Sequence, residues 1–105
     1  QSEKQNINNG EIKSIIKKGI KYNYLEKSVL INDKKEILTK NESRLLELFL
    51  INKNKFLKNE DITNHIWSEK DVSESAFKSL INRLTKKIGK DTINNSFGIG
   101  YGIFD

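Results

Sequence analysis

The sequence predicts a single α+β domain in which antiparallel strands come first, three helices follow and a β-hairpin ends the chain. Three features predict this order: short β-favouring segments between residues 15 and 38, helical apolar spacing between residues 39 and 89, and paired glycines between two apolar segments near the end. A chain of 105 residues fits one domain. We place this domain at residues 15–105, after a polar linker or tail at residues 1–14.

The N-terminal sheet is predicted from three short segments, at residues 19–24, 28–31 and 36–38. Asn32 and Asp33 lie between the second and third segments and suit a tight turn, because short polar side chains tolerate left-handed backbone conformations. The simplest arrangement of these segments is a three-stranded antiparallel meander. No Met opens the chain, so we expect it to come from a longer protein, although processing would also explain such a start.

Two helix starts are marked by polar residues. Thr39 and Glu42 have the spacing of a capping box, in which each side chain accepts a hydrogen bond from the backbone of the other. The first helix is therefore predicted to begin here, and its wide apolar stripe ends at about residue 51. The second helix is predicted from about Asn59 to residues 66 and 67, because the acidic Glu60 and Asp61 suit the positive end of the helix dipole.

The third helix has the clearest periodicity. Ser73 is a suitable N-cap and Gly89 a suitable end. Between them, apolar residues follow at i, i+3, i+4, i+7 and i+11: Phe77, Leu80, Ile81, Leu84 and Ile88. The next glycines, Gly98 and Gly100, separate two apolar segments and predict a β-hairpin.

The distribution of charge favours a polyanionic partner. The net charge is +5, but an A/T-rich genome would also enrich lysine, so the placement of the charge must decide. No acidic residue occurs between Ser75 and Lys90. Opposite its apolar stripe the third helix is predicted to carry Ser75, Ser79, Asn82 and Lys86, with Lys78 and Arg83 beside them. These six residues and Lys87, from the same basic segment, are the candidate binding residues. Asn and Arg pair with base edges in the major groove and Lys neutralises phosphates, although a solvated lysine-rich helix face would look the same.

Other function classes lack the residues that they need. No apolar stretch approaches the roughly 20 residues of a membrane span, the polar start lacks a secretory signal, and there is no cysteine, so the cytoplasm is expected. We find no nucleophile and base pair, phosphate-binding glycine loop or metal-ligand set, and hence expect no enzyme, metal or cofactor. His65 is expected to be an exposed helical residue, and Trp67 and Tyr101 are expected to pack in the core.

Four segments together resemble the OmpR/PhoB-type effector domains of bacterial response regulators. LTKNESRLLE at residues 38–47 is similar to the family's entry to its first helix, and DITNHIW at residues 61–67 resembles its second helix. INRLTKKIG at residues 81–89 is similar to its recognition helix, and FGIGY at residues 97–101 to its wing. Their order and spacing also match, so the set is far more specific than any one motif.

The resemblance implies a winged helix-turn-helix with an additional N-terminal sheet. The third helix would enter the major groove of duplex DNA, while a C-terminal wing, with Ser96, Phe97, Gly98, Gly100 and Gly102, would touch the neighbouring minor groove or backbone. It also implies dimers on direct-repeat sites, a contact between RNA polymerase and the loop from Ser68 to Val72, and control of transcription by a receiver domain elsewhere in the parent chain. No receiver domain is present in these residues.

The sequence departs from the family pattern at three positions. Thr85 replaces an arginine of the recognition helix, and Phe97 and Gly102 stand where the wing usually carries arginine. We expect Phe97 to pack into the core, and a Gly102→Arg variant to gain a phosphate contact if the wing approaches DNA. The neutral wing keeps a protein-interaction domain open as an alternative. RNA binding is a weaker alternative, because the sheet lacks the aromatic residues on which bases stack.

Overall fold

The computed structural model describes residues 13–17, 19–67, 73–89 and 91–104. The four N-terminal strands are β1 (Lys13–Lys17), β2 (Ile20–Asn23), β3 (Ser28–Ile31) and β4 (Lys34–Ile37). The helices are α1 (Lys40–Ile51), α2 (Asn59–Ile66) and α3 (Glu74–Ile88), and the hairpin strands are β5 (Ile93–Ser96) and β6 (Gly100–Ile103). This order confirms the predicted α+β fold. Most of the proposed linker and the whole loop from Ser68 to Val72 lie outside the described residues.

The N-terminal sheet has one more strand than the sequence predicted. The four strands pair in the order β1-β2-β3-β4, and every pair is antiparallel. The additional strand β1 begins at Lys13, two residues before the predicted start of the domain, and buries Ile16 completely. The turn between β3 and β4 is confirmed: Asn32 and Asp33 have φ angles of 50° and 66°, as a two-residue type I′ hairpin requires.

Helices α1 and α3 begin with the predicted caps. The Thr39 hydroxyl accepts a hydrogen bond from the Glu42 N–H at 3.2 Å, and the Glu42 carboxylate accepts one from the Thr39 N–H at 2.9 Å. The Ser73 hydroxyl accepts from the Ala76 N–H at 3.1 Å, and Gly89 is the C-cap of α3. These local contacts satisfy backbone donors that have no partner inside the helix.

The core lies where the three helices meet the sheet and the hairpin. All five apolar residues predicted on the inner face of α3 are buried. They pack with Leu45, Leu46 and Phe49 of α1, Ile62 and Ile66 of α2, Tyr22 and Val29 of the sheet, and Ile103 of β6. Within the described ranges, no helix is long and apolar enough to cross a membrane.

The C-terminal hairpin is held by the connection between α1 and α2. Leu57 and Tyr101 exchange two backbone hydrogen bonds, of 2.7 and 3.0 Å, and the Asn54 N–H donates to the Ile103 carbonyl at 2.8 Å. The Tyr101 ring also meets Phe77 of α3 edge to face, with 5.7 Å between ring centroids. These contacts fix the position of the hairpin relative to α3.

Candidate nucleic-acid interface

The outer face of α3 presents the predicted polar and cationic side chains to solvent. Of the seven candidate residues, all are exposed except Lys87, whose side chain retains 27% of its accessible surface. The exposed members are Ser75, Lys78, Ser79, Asn82, Arg83 and Lys86. The outward position predicted for these six residues is therefore confirmed, whereas Lys87 lies at the flank of α3 against Glu42. Thr85 does not join them, because it is half-buried and its hydroxyl donates to the Ile81 carbonyl at 2.7 Å.

The first turn of α3 carries an acid beside one of its lysines. The Lys78 ammonium lies 3.4 Å from the Glu74 carboxylate, four residues earlier on the helix. Both side chains are mostly exposed, so water and salt weaken this pair. Lys78 therefore remains accessible to a competing anion such as a DNA phosphate.

The last turns of α3 are linked to the N-terminus of α1 through Glu42. The Lys87 ammonium donates to Glu42 Oε1 at 2.7 Å and to the Ile37 carbonyl at 3.0 Å. Arg83 Nε lies 3.7 Å from Glu42 Oε2, and its side chain keeps 61% of its accessible surface. Lys87 is thus held firmly at the flank of α3, whereas Arg83 makes a looser pair.

Glu42 stays ionised although its side chain is only 1% exposed. Burial alone would raise the pKa of this carboxyl group, but hydrogen bonds from Lys87 and from the Thr39 N–H, and the charges of Lys87 and Arg83, outweigh burial and lower the pKa. The hydrogen bonds between Thr39 and Glu42 confirm the cap predicted from the sequence. The Glu42 carboxylate also pairs with Arg83 and Lys87, 41 and 45 residues further along the chain, and the sequence did not reveal these partners.

The tip of the hairpin is apolar and exposed. The prediction that Phe97 packs into the core is wrong: Phe97 is fully exposed, and Ile99 is 55% exposed. Phe97 lies in the turn that leaves β5, beyond the last strand pair Ser96–Gly100, where no neighbouring element covers it. From Thr92 to Phe104 the chain has no charged residue, so the hairpin offers apolar and hydrogen-bonding groups only.

The glycines of the hairpin serve two purposes. Gly98 has a φ of 80°, which confirms the predicted left-handed turn position. At Gly102 an added Cβ would lie 2.2 Å from the Lys55 carbonyl oxygen, and at Gly100 it would lie 1.8 Å from the Leu57 carbonyl oxygen. Gly102 is buried against the backbone of the α1–α2 connection, so an arginine at position 102 would first have to displace that backbone before it could make the expected phosphate contact.

Comparison with known proteins identifies the family. A family model described as "Transcriptional regulatory protein, C terminal" matches residues 33–103. The chain belongs to this family. It is 34% identical over 87 residues to the transcriptional regulatory protein QseB of Haemophilus influenzae, covering 81% of this chain and 39% of QseB. The chain thus spans about two fifths of the length of such relatives.

Solved structures agree with this assignment. The response regulator DrrB of Thermotoga maritima, an OmpR/PhoB homologue, superposes with a TM-score of 0.73 at 25% identity, covering 83% of this chain and 42% of DrrB. The DNA-binding domain of the response regulator AdeR has the same fold, with a TM-score of 0.70 at 22% identity over 83% of this chain and 95% of that domain. The chain is an OmpR/PhoB-type winged-helix DNA-binding domain, the output type of domain through which response regulators control transcription.

Within this winged helix, the predictions for three individual side chains can be compared with the structure. His65 is exposed, and Trp67 and Tyr101 pack against the core, as predicted. In the part of the chain that the structure describes, no group of histidines or acids could hold a metal ion. Two features beside α3 were not predicted from the sequence: the pairing of the Glu42 carboxylate with Arg83 and Lys87, and the exposed Ile99 next to Phe97. An apolar pair flanking Gly98 at a predicted hairpin tip was the available signal for the second.

Proposed function

We propose that this domain reads a specific duplex DNA sequence by placing α3 in the major groove, as the output domain of a two-component response regulator. The observation that carries this proposal is the outer face of α3, where Ser75, Ser79, Asn82 and Lys86 are exposed and no acidic residue follows Glu74. A helix with this face offers base-edge hydrogen bonds along its centre and positive charge toward its end.

The residues of α3 divide into two groups in this proposal. Asn82 and Arg83 contribute specificity, since Asn pairs bidentately with adenine and Arg with guanine. Lys78 and Lys86 contribute sequence-independent affinity through phosphates. Lys87 was expected to act with Lys86, but its contacts to Glu42 and Ile37 support a position at the edge of the interface.

Selection of bound sites from random duplex DNA, followed by titration of variants, tests this proposal. Asn82→Ala should weaken binding to the selected site by about 1–3 kcal/mol and leave binding to random DNA nearly unchanged. Lys86→Ala is the matched control from the same exposed face and should weaken binding to both DNAs alike. With four to six phosphate contacts, the log–log salt slope should be roughly −4 to −5. Affinity that does not depend on salt would refute DNA binding by this face.

The wing is proposed to touch the neighbouring minor groove or backbone through Phe97 and the polar atoms around Ser96, not through charge. Because Phe97 is fully exposed, Phe97→Ala should leave the stability of the fold within about 0.5 kcal/mol of the wild-type value. It should weaken DNA binding without changing the salt slope, because no phosphate contact is lost.

A second candidate function rests on the same exposed tip. Phe97 and Ile99 are both exposed apolar residues at the hairpin tip, and exposed apolar surface of this kind would also suit a protein partner. Phe97→Ala distinguishes the two candidates. An unchanged DNA affinity would remove the wing from the DNA interface and favour the protein partner.

The remaining proposals concern the parent protein. We propose that it acts in the bacterial cytoplasm, that a receiver domain controls it, that two copies bind direct repeats, and that the loop from Ser68 to Val72 contacts RNA polymerase. The resemblance to response regulators supports these points, as does the reported complex of the AdeR domain with an intercistronic region. The spacing of half-sites among selected DNAs tests the direct repeats. Transcription in vitro with variants of the loop tests the polymerase contact.

A further inference from the structure

The carboxylate of Glu42 is the only acidic group, among the described residues, that contacts cations of the last two turns of α3. Its Oε1 accepts hydrogen bonds from the Thr39 N–H and the Lys87 ammonium, and its Oε2 faces Arg83. A single side chain thus caps α1 and pairs with two cations of the proposed recognition helix.

We propose that Glu42 is a positioning residue for DNA binding, which withholds Lys87 from the phosphates and leaves Lys86 as the principal phosphate contact of the last turn of α3. This inference rests on the proposed function of α3. It assigns neighbouring lysines different roles, although both belong to the same basic segment in the sequence.

The contacts of Lys87 support this division. Its ammonium has two protein acceptors, Glu42 Oε1 at 2.7 Å and the Ile37 carbonyl at 3.0 Å, and its side chain is largely covered. Moving Lys87 to a phosphate would leave the buried carboxylate of Glu42 without its closest cation, and an unpaired buried charge is strongly unfavourable. Lys86 is exposed and makes no ion pair with any residue that the structure describes.

Arg83 occupies an intermediate position. Its 3.7 Å approach to Glu42 has no hydrogen bond, and most of its side chain is exposed. Arg83 can therefore exchange Glu42 for a base or phosphate at a lower cost than Lys87, because its guanidinium is largely solvated and Lys87 stays paired with the buried carboxylate. Lys87, held at 2.7 Å, then remains as the counter-ion of Glu42 in the complex.

The test is the salt dependence of duplex binding by single variants of the 105-residue chain, measured on the selected site and on random DNA. Each neutralised phosphate adds about 0.9 to the slope, so one contact changes the ratio of affinities at 50 and 200 mM salt about 3.5-fold. Lys86→Ala should lower this ratio about 3.5-fold, and Lys87→Ala should leave it unchanged.

Glu42→Gln supplies the converse test, since the amide retains an oxygen that can accept from the Thr39 N–H but loses the negative charge. Releasing Lys87 should raise the same ratio about 3.5-fold, and should tighten binding to random DNA more than binding to the selected site. Adding Lys87→Ala to Glu42→Gln should return the ratio to the wild-type value. A purely structural role of Glu42 would change stability and would not give this rescue.

Glu47→Gln is the matched control. It removes the same charge from α1, but Glu47 pairs with Lys27 and Tyr22 on the sheet side. It should leave the salt dependence unchanged. Equal reductions for Lys86→Ala and Lys87→Ala would overturn the inference even if Glu42→Gln fails to fold, because Lys87 would then contact phosphate directly. If the wild-type chain binds duplex DNA without salt dependence, the proposed function itself fails.

Discussion

Gly100 is expected to be the most sensitive glycine of the wing, because a Cβ added there would come closer to neighbouring backbone than one added at Gly98 or Gly102. Replacing it with alanine would place a methyl group 1.8 Å from the Leu57 carbonyl oxygen and 2.7 Å from the Leu57 carbonyl carbon. Neither atom belongs to a flexible side chain, so β6 must move away from the α1–α2 connection or the connection must move away from β6.

The magnitude follows from what that movement disrupts. The two hydrogen bonds between Leu57 and Tyr101 are each worth about 0.5–1.5 kcal/mol, and overpacking costs roughly 1–3 kcal/mol more. We therefore expect Gly100→Ala to lower the free energy of unfolding by about 4 kcal/mol, a large share of the roughly 5–15 kcal/mol typical of a domain. The melting temperature should fall by about 15 °C or more.

Gly98→Ala is the matched control in the same turn. Its added Cβ would meet no atom within 4 Å, so only the left-handed φ of 80° is unfavourable. That strain costs about 1–2 kcal/mol. Urea unfolding followed by the fluorescence of Trp67, the single tryptophan, measures both variants. Equal losses of stability for the two variants would refute the argument, because they would show that the close approach of Gly100 to Leu57 contributes nothing.

Two further predictions follow from buried titratable groups. The pKa of the Glu42 carboxyl group is lowered in the fold, so its contribution to stability is present above the unfolded value near 4.5 and is lost as the pH falls below that value. Urea unfolding between pH 7 and pH 3 should therefore show a smaller acid-induced loss of stability for Glu42→Gln than for the wild type. Equal losses for the two proteins would contradict this prediction. Burial and the Glu47 carboxylate raise the pKa of Tyr22, so its contribution is present below pH 10 and is lost at higher pH. Tyr22→Phe should lower stability at pH 7 by about 1.5–3 kcal/mol and lose less than the wild type on transfer to pH 11, and a parallel alkaline loss would contradict this reasoning.

The sequence predicted the features that are determined by residues close together in the chain. The capping box joins residues three apart, the type I′ turn needs only Asn32 and Asp33, and the inner face of α3 follows from its own periodicity. Each of these features depends on local backbone geometry, so neighbouring residues suffice to identify it.

The features that the sequence missed depend on distant partners. Strand β1 exists through its pairing with β2, and its mixed polar composition carries no strong alternation. The exposure of Phe97 depends on where β6 docks, and that position is determined by Leu57, more than 40 residues earlier. Likewise the cap at Glu42 was predictable, but its pairing with Lys87 required the packing of α3 against α1. Lys86 and Lys87 are adjacent in the chain, yet Lys86 is exposed to solvent while Lys87 packs against Glu42.

The charge available to DNA is consequently smaller than the composition implies. In the described part of α3, Lys78 forms an ion pair with Glu74, and both Arg83 and Lys87 pair with Glu42. Lys86 is the only cation there without a carboxylate partner among the described residues. The wing adds no charge. A phosphate must compete with these carboxylates, and each exchange releases less free energy than neutralisation by an unpaired cation. The salt slope should therefore lie at the weak end of the range of roughly −4 to −5, and hydrogen bonds from Ser79 and Asn82 should account for more of the discrimination between sites.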